Sequence, residues 1–288
     1  MLLLLAISII SASLNSVFLH KTKLNDNKSI YKFNLLCSLV WCLVLFIANG
    51  CKLQITKNAF AFGVLYGIAQ VCFIFFKTQA MNKGPVSITT LVGNSSLVIS
   101  VVVCFILWDE PITFVDIIGL ILLFVGIVLC TYKKSEQKYK KYWKVYVIAF
   151  LILSASVGII FKAYSKTGKP DNVGDMLLVS SIVMLLAYSI LCVFIGSFKG
   201  GEVTLDKKEK LIFIRYALIS GLLSCLYNRL NIYLCSVLDG VIFFPVFNGG
   251  VILLSALLAI RMLNEKLLLR QVLGVLSGIL GICLIGVL

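Results

Sequence analysis

Acidic residues and histidine are scarce in this chain. Across 288 residues there are 12 Asp and Glu against 26 Lys and Arg, one histidine (His20) and four prolines. A single histidine leaves no basis for a His-based metal site or a His-driven triad, so no metal and no cofactor is expected. The ten cysteines form no C-x-x-C pair and are scattered along apolar runs, where they read as small core residues rather than disulfide or metal ligands. There is also no G-x-S-x-G element, no H-E-x-x-H, no pair of deep aspartates and no G-x-x-x-x-G-K-[ST] loop. These absences argue against an enzyme and against an ATP-driven pump.

What is abundant is apolar. Hydrophobic residues make up 60% of the chain and charged residues 13%, with a mean hydropathy of +1.06. A soluble domain of that composition would expose a surface it could not keep in solution, so the chain reads as an all-α, integral, multi-pass membrane protein. A bilayer crossing needs about 17–25 apolar residues. Segments of that kind fall at 2–19, 33–49, 59–76, 86–108 and 112–132, and again at 145–161, 176–195, 219–238, 240–262 and 271–288. The first lacks a basic n-region and reads as an uncleaved helix rather than a signal peptide.

Twenty of the 26 Lys and Arg sit in or beside the odd-numbered connections between these segments. That asymmetry predicts basic loops in the cytoplasm, both termini outside and a plasma-membrane location. The net charge of +14 then reflects topology and attraction to anionic membrane lipids, and nucleic acid is not an expected partner.

The chain also repeats itself. Moved by 155 positions, Ser100, Glu110, Gly119 and Gly126 fall on Ser255, Glu265, Gly274 and Gly281; moved by 143, Ser11, Ala12, Ser13 and Phe18 fall on Ser154, Ala155, Ser156 and Phe161. Each copy has five segments, an odd number, so the second enters the membrane inverted. The expected architecture is ten transmembrane helices in two inverted five-helix repeats, 1–132 and 145–288, joined by a basic linker at 133–144 and enclosing a central cavity.

The stretches GPVSITTLVGNSSLVISVVVCFILWDEPITFVDIIGLILLFVGIVL and DGVIFFPVFNGGVILLSALLAIRMLNEKLLLRQVLGVLSGILGICLIG carry a further signal. In each, a membrane helix is followed by an acidic residue, Glu110 or Glu265, and then by a glycine-bearing helix with Gly119 and Gly126 or Gly274 and Gly281. This pattern resembles the EamA-like family of the drug/metabolite transporter superfamily. The resemblance implies a secondary transporter of small metabolites such as amino acids or other polar organic solutes. It also implies cytoplasmic termini, opposite to the orientation read from charge.

Residue by residue, Glu110 and Glu265 fit the positive ends of the helices that follow them, with Pro111 in the first turn, so a structural capping role is expected. The four glycines fit helix packing. Candidate cavity residues, chosen by depth, are Gln70, Asn94, Ser95 with Ser96, Tyr227, Asn228, Arg229, Asn231 and Asn248. Pro245, followed by Gly249, marks an expected helix break beside the cavity. Arg229 stands out because a guanidinium at the bilayer midplane is costly unless paired or facing water, and it suggests a solute with an anionic group. The expected partners are a small-molecule solute and lipid, with the protein a monomer or homodimer. The function expected is alternating-access transport, with a non-transporting scaffold or accessory subunit, and less so an intramembrane enzyme, as alternatives.

Overall fold

The computed structural model describes residues 1–21, 27–50, 55–131, 140–167, 173–198, 207–263 and 269–286. Among them every regular element is a helix. The first half contributes α1 (Leu2–Lys21), α2 (Asn27–Ala48), α3 (Lys57–Lys83), α4 (Val86–Asn94), α5 (Ser96–Trp108) and α6 (Phe114–Thr131). The second contributes α7 (Trp143–Thr167), α8 (Val173–Phe198), α9 (Lys207–Val237), α10 (Gly240–Leu263) and α11 (Leu269–Gly286). Helices α4 and α5 join into one span, Ile88–Trp108. Among the described residues eight spans are long and apolar enough to cross a bilayer, and Leu2–Phe18 and Leu269–Ile285 are shorter apolar helices. Glu265 and residues 133–139 of the basic linker lie outside the described residues.

These segments are helical because lipid offers no partner for a backbone N–H or C=O, so each must be satisfied within its own helix. Their outward faces carry large apolar side chains: Ile121, Leu186 and Val193 are exposed. Inside, small and polar residues let the helices approach: Ser180 and Ser181 are fully buried and donate back to the carbonyls of Leu177 and Leu178, each at 2.7 Å.

The tightest seam joins α6 to α11. A Cβ on Gly126 would lie 2.6 Å from the Gly274 carbonyl oxygen, and one on Gly281 would lie 2.6 Å from the carbonyl of Gly119. The obstructing atoms are backbone, so only glycine lets the two helices touch. Ser277 Oγ adds a hydrogen bond to the Leu122 carbonyl across the seam at 2.8 Å. A second close approach sets Gly63 and Gly67 of α3 against α8, where a Cβ would meet the Met176 and Ser180 carbonyls at 2.7 and 2.9 Å. Elsewhere α3 packs on α7, α2 on α8 and α9, α1 on α9 and α10, and α5 on α10.

Two expectations are corrected by the helix boundaries. First, α10 runs from Gly240 to Leu263 with Pro245 inside it, so Pro245 and Gly249 do not break the helix. Pro245 lies close to the start, where its missing N–H costs only the bond to the Val241 carbonyl, and α10 is held on several sides by α1, α5, α6 and α11. Gly249 instead makes room for Leu123 of α6. Second, the interruption falls in the other half, at Ser95 between α4 and α5. There the Ser95 N–H is shared between the Leu91 and Val92 carbonyls at 3.0 and 3.1 Å, and Ser154 Oγ reaches the Gly93 carbonyl at 3.4 Å.

Candidate functional site

A cavity of about 370 Å³ occupies the middle of the bundle. Its walls come from α1, α2, α3, α5, α7, α8, α9 and α10, while α6 and α11 stand outside it. One stripe of α9 supplies much of its polar wall. Ser220, Ser224, Tyr227, Asn228 and Asn231 recur at helical spacing and all line the cavity.

Hydrogen bonds between helices fix these side chains. Ser8 Oγ on α1 donates to Asn231 Oδ1 at 2.6 Å, and Ser220 Oγ donates to Asn15 Oδ1. From α3, Gln70 Nε2 donates to Tyr66 Oη at 2.6 Å, and Tyr66 Oη donates to Asn228 Oδ1 at 3.0 Å. Asn228 Nδ2 then closes on the Ser224 carbonyl at 2.8 Å. Across the cavity, the hydroxyls of Ser96 and Ser154 are 2.8 Å apart. Buried polar groups are costly unless satisfied, and these satisfy one another.

Of the residues chosen by depth, Gln70, Ser96, Tyr227, Asn228, Asn231 and Asn248 line this cavity. Asn94 and Ser95 do not; Ser95 Oγ turns back to the Leu91 carbonyl at 3.0 Å. Arg229 does not either. It is exposed, with no place in the cavity wall, between a buried Asn228 and the apolar Leu230. At about 100° per residue, position 229 points away from the stripe formed by 220, 224, 227, 228 and 231. The guanidinium is therefore not central: depth along a helix says nothing about which face a side chain occupies.

The charge in the cavity is Lys77, on α3. It stands with Tyr66, Gln70 and Phe73 on one i, i+3, i+4 face of α3, and its ammonium lies 5.7 Å from the centre of the Phe73 ring. That spacing was readable in advance. Asn15, Asn34 and Ser100 also belong to the lining and were passed over, since isolated polar residues in apolar helices are equally common as interhelical glue.

At one end of the bundle a buried ion pair stitches α7 to the α5–α6 and α9–α10 connections. Lys162 Nζ of α7 lies 2.6 Å from Glu110 Oε1, and the two side chains are 1% and 3% exposed. Lys162 Nζ also donates to the Leu238 carbonyl at 2.8 Å, while Glu110 Oε2 accepts from the backbone N–H groups of Gly240 and Val241 at 2.5 and 3.1 Å. Glu110 is thus a cap, but of α10 rather than of the helix that follows it. The start of α6 is capped by Thr113 and Asp116, whose side chains each bond the other's backbone N–H, at 2.8 and 3.2 Å. Lys162, near the end of α7, is thus a buried partner. On the same end, Asn49 Nδ2 donates to Asp175 Oδ1 at 3.1 Å. At the opposite end Trp143 Nε1 donates to Thr89 Oγ1 at 3.2 Å, and the Lys140 N–H donates to the Lys83 carbonyl at 2.9 Å.

An apolar helical bundle with eight candidate membrane spans among the described residues defines a multi-pass membrane protein, here with a cavity lined by both polar and apolar side chains. Residues 1–132 match the model of the EamA-like transporter family, a match consistent with the drug/metabolite transporter superfamily. No curated protein matches the chain. A solved structure described as "Crystal structure of protein" is similar to it, with a TM-score of 0.73 at 13% identity over 98% of this chain and 94% of that one. At that identity the likeness shows the fold alone.

Proposed function

We propose that the protein is a secondary transporter that moves a small polar metabolite, an amino acid or an organic anion, by alternating access. The observation that carries this reading is the central cavity, polar along α9 and charged at Lys77. Its volume of about 370 Å³ lies near the small end of the range for small-molecule sites, about 300–1,000 Å³. Among the described lining residues there is no Asp, Glu or His, which supports a carrier over an enzyme needing paired acid and base.

Two features support alternating access. Most of the packing pairs exchange with one another when α1, α2, α3, α4–α5 and α6 are swapped for α7, α8, α9, α10 and α11; α7 on α9, α6 on α10 and α8 on α9 are the exceptions. That is the relation expected of two inverted units, 1–132 and 145–288, joined by the basic linker 133–144 and able to rock about a shared site. The Glu110–Lys162 cluster ties α7 and the α5–α6 connection of the two halves to the junction of α9 and α10 at one end of the bundle. In this reading the basic face is cytoplasmic, both termini are outside, the membrane is the plasma membrane, and one chain suffices as a monomer or pairs as a homodimer.

Reconstitution into liposomes tests the reading directly. Counterflow of a panel of labelled amino acids, organic acids and neutral solutes is expected to show saturable uptake of at least one. Uptake of none, by protein whose thermal unfolding shows it to be folded, favours the scaffold alternative.

A further inference from the structure

Within that transporter reading, we infer that the cavity selects small monocarboxylates with an apolar or aromatic body, anchored by Lys77, and rejects their α-amino counterparts. The charge balance of the wall is the first ground. Its formal charge is carried by Lys77 alone, with no aspartate or glutamate among the described lining residues. A carboxylate brought to that ammonium neutralises the site and forms charge-assisted hydrogen bonds. A zwitterion adds an ammonium that must shed its water with no opposite charge to receive it, and an unpaired ion in such surroundings is strongly disfavoured.

The hydrogen-bond acceptors are the second ground. An ammonium without a carboxylate could still be held by amide oxygens. Of the six amide side chains in the lining, three already accept from the protein: Asn15 Oδ1 from Ser220, Asn228 Oδ1 from Tyr66 and Asn231 Oδ1 from Ser8. Each of those bonds turns an acceptor toward a protein hydroxyl rather than toward a ligand cation.

Aromatic rings supply the third. Trp41, Phe161, Tyr188, Phe243, Phe244 and Phe247 join Phe73 in the wall. Phe243 and Phe247 stack with centroids 5.6 Å apart and an interplanar angle of 7°, so each offers its neighbour the face that a cation would need. Phe73 lies near the Lys77 ammonium. This wall suits an apolar body, and the cation it accommodates is the protein's own.

The test uses matched pairs that differ only by the amino group: acetate and glycine, 4-methylpentanoate and leucine, 3-phenylpropanoate and phenylalanine. Ligand-induced shifts in the unfolding temperature of the detergent-purified protein give affinities, and counterflow in liposomes gives transport. At least one carboxylate is expected to stabilise the protein and to exchange, with its amino partner weaker by about tenfold or more. Lys77→Gln is expected to abolish the carboxylate shift while leaving the ligand-free unfolding temperature unchanged, and Lys77→Arg to retain it. An amino acid that binds as well as or better than its carboxylate partner overturns the inference and leaves the transporter reading standing. So does a carboxylate affinity that Lys77→Gln does not change. If neither set binds, the inference falls, and the transporter reading falls with it only when the wider panel also shows no flux.

Discussion

Arg229 and Lys77 show how a charge in an apolar helix acquires meaning. The two residues carry the same sign, yet only Lys77 is in the cavity wall, while Arg229 is exposed on the far side of α9 from the polar stripe. Arg229 is eight residues from the end of α9 at Val237, or about 12 Å at 1.5 Å per residue, and a long side chain on an outer surface reaches toward the interface by snorkelling. Arg229→Leu is accordingly expected to leave the uptake rate and apparent affinity of the transported solute unchanged. The exchange removes a charge that costs up to about 2.5–3.5 kcal/mol on a lipid-facing helix, so stability in lipid should be equal or higher. A loss of transport with intact folding would return Arg229 to the site.

At the scale of helices, the Glu110–Lys162 pair replaces covalent or loop-length constraints in joining α7 to the α5–α6 and α9–α10 connections. Both side chains are almost fully buried, and removing one partner of such a pair leaves the other charge uncompensated, at a cost of about 3–5 kcal/mol. Lys162→Met and Glu110→Gln are each expected to lower the unfolding temperature markedly. The double variant should be less destabilised than the sum of the two, because the second change removes the charge that the first stranded. Strict additivity in this double-mutant cycle would mean that the two residues act independently. The α6–α11 seam rests on a different physical basis, the close approach of glycine backbones, and there the sequence was more informative. Glycines at matched spacing in both halves marked the packing helices, because only the lack of a side chain permits contact at that distance. The capping target of Glu110 was not legible: a carboxylate after a helix end suits any nearby helix start, and chain proximity favoured the wrong one.

For the molecule as a whole, the unequal distribution of basic residues makes a prediction that the coordinates of an isolated chain do not contain. With nineteen of the 26 Lys and Arg in or beside the odd-numbered connections once Lys77 is assigned to the cavity, the positive-inside rule places those connections in the cytoplasm. An epitope tag at the carboxyl end should therefore be cleaved by protease added to intact cells, and a tag in the 133–144 linker should be protected. The reverse pattern would show that the orientation implied by the family resemblance prevails over the charge of the loops.

Composition and periodicity by themselves determined that the chain is a bundle of apolar helices, roughly where each begins and ends, and which helices carry glycine faces. They could do so because a lipid environment forces every backbone polar group into local helical hydrogen bonds, so one-dimensional hydropathy maps directly onto structure. Only the tertiary structure decided which polar residues share a cavity: Lys77 and Asn15 enter it, Asn94, Ser95 and Arg229 do not, and Lys162 meets Glu110 from another helix. Those assignments depend on the rotation of each helix about its own axis, which is set by packing against its neighbours and leaves only a faint trace in any single segment.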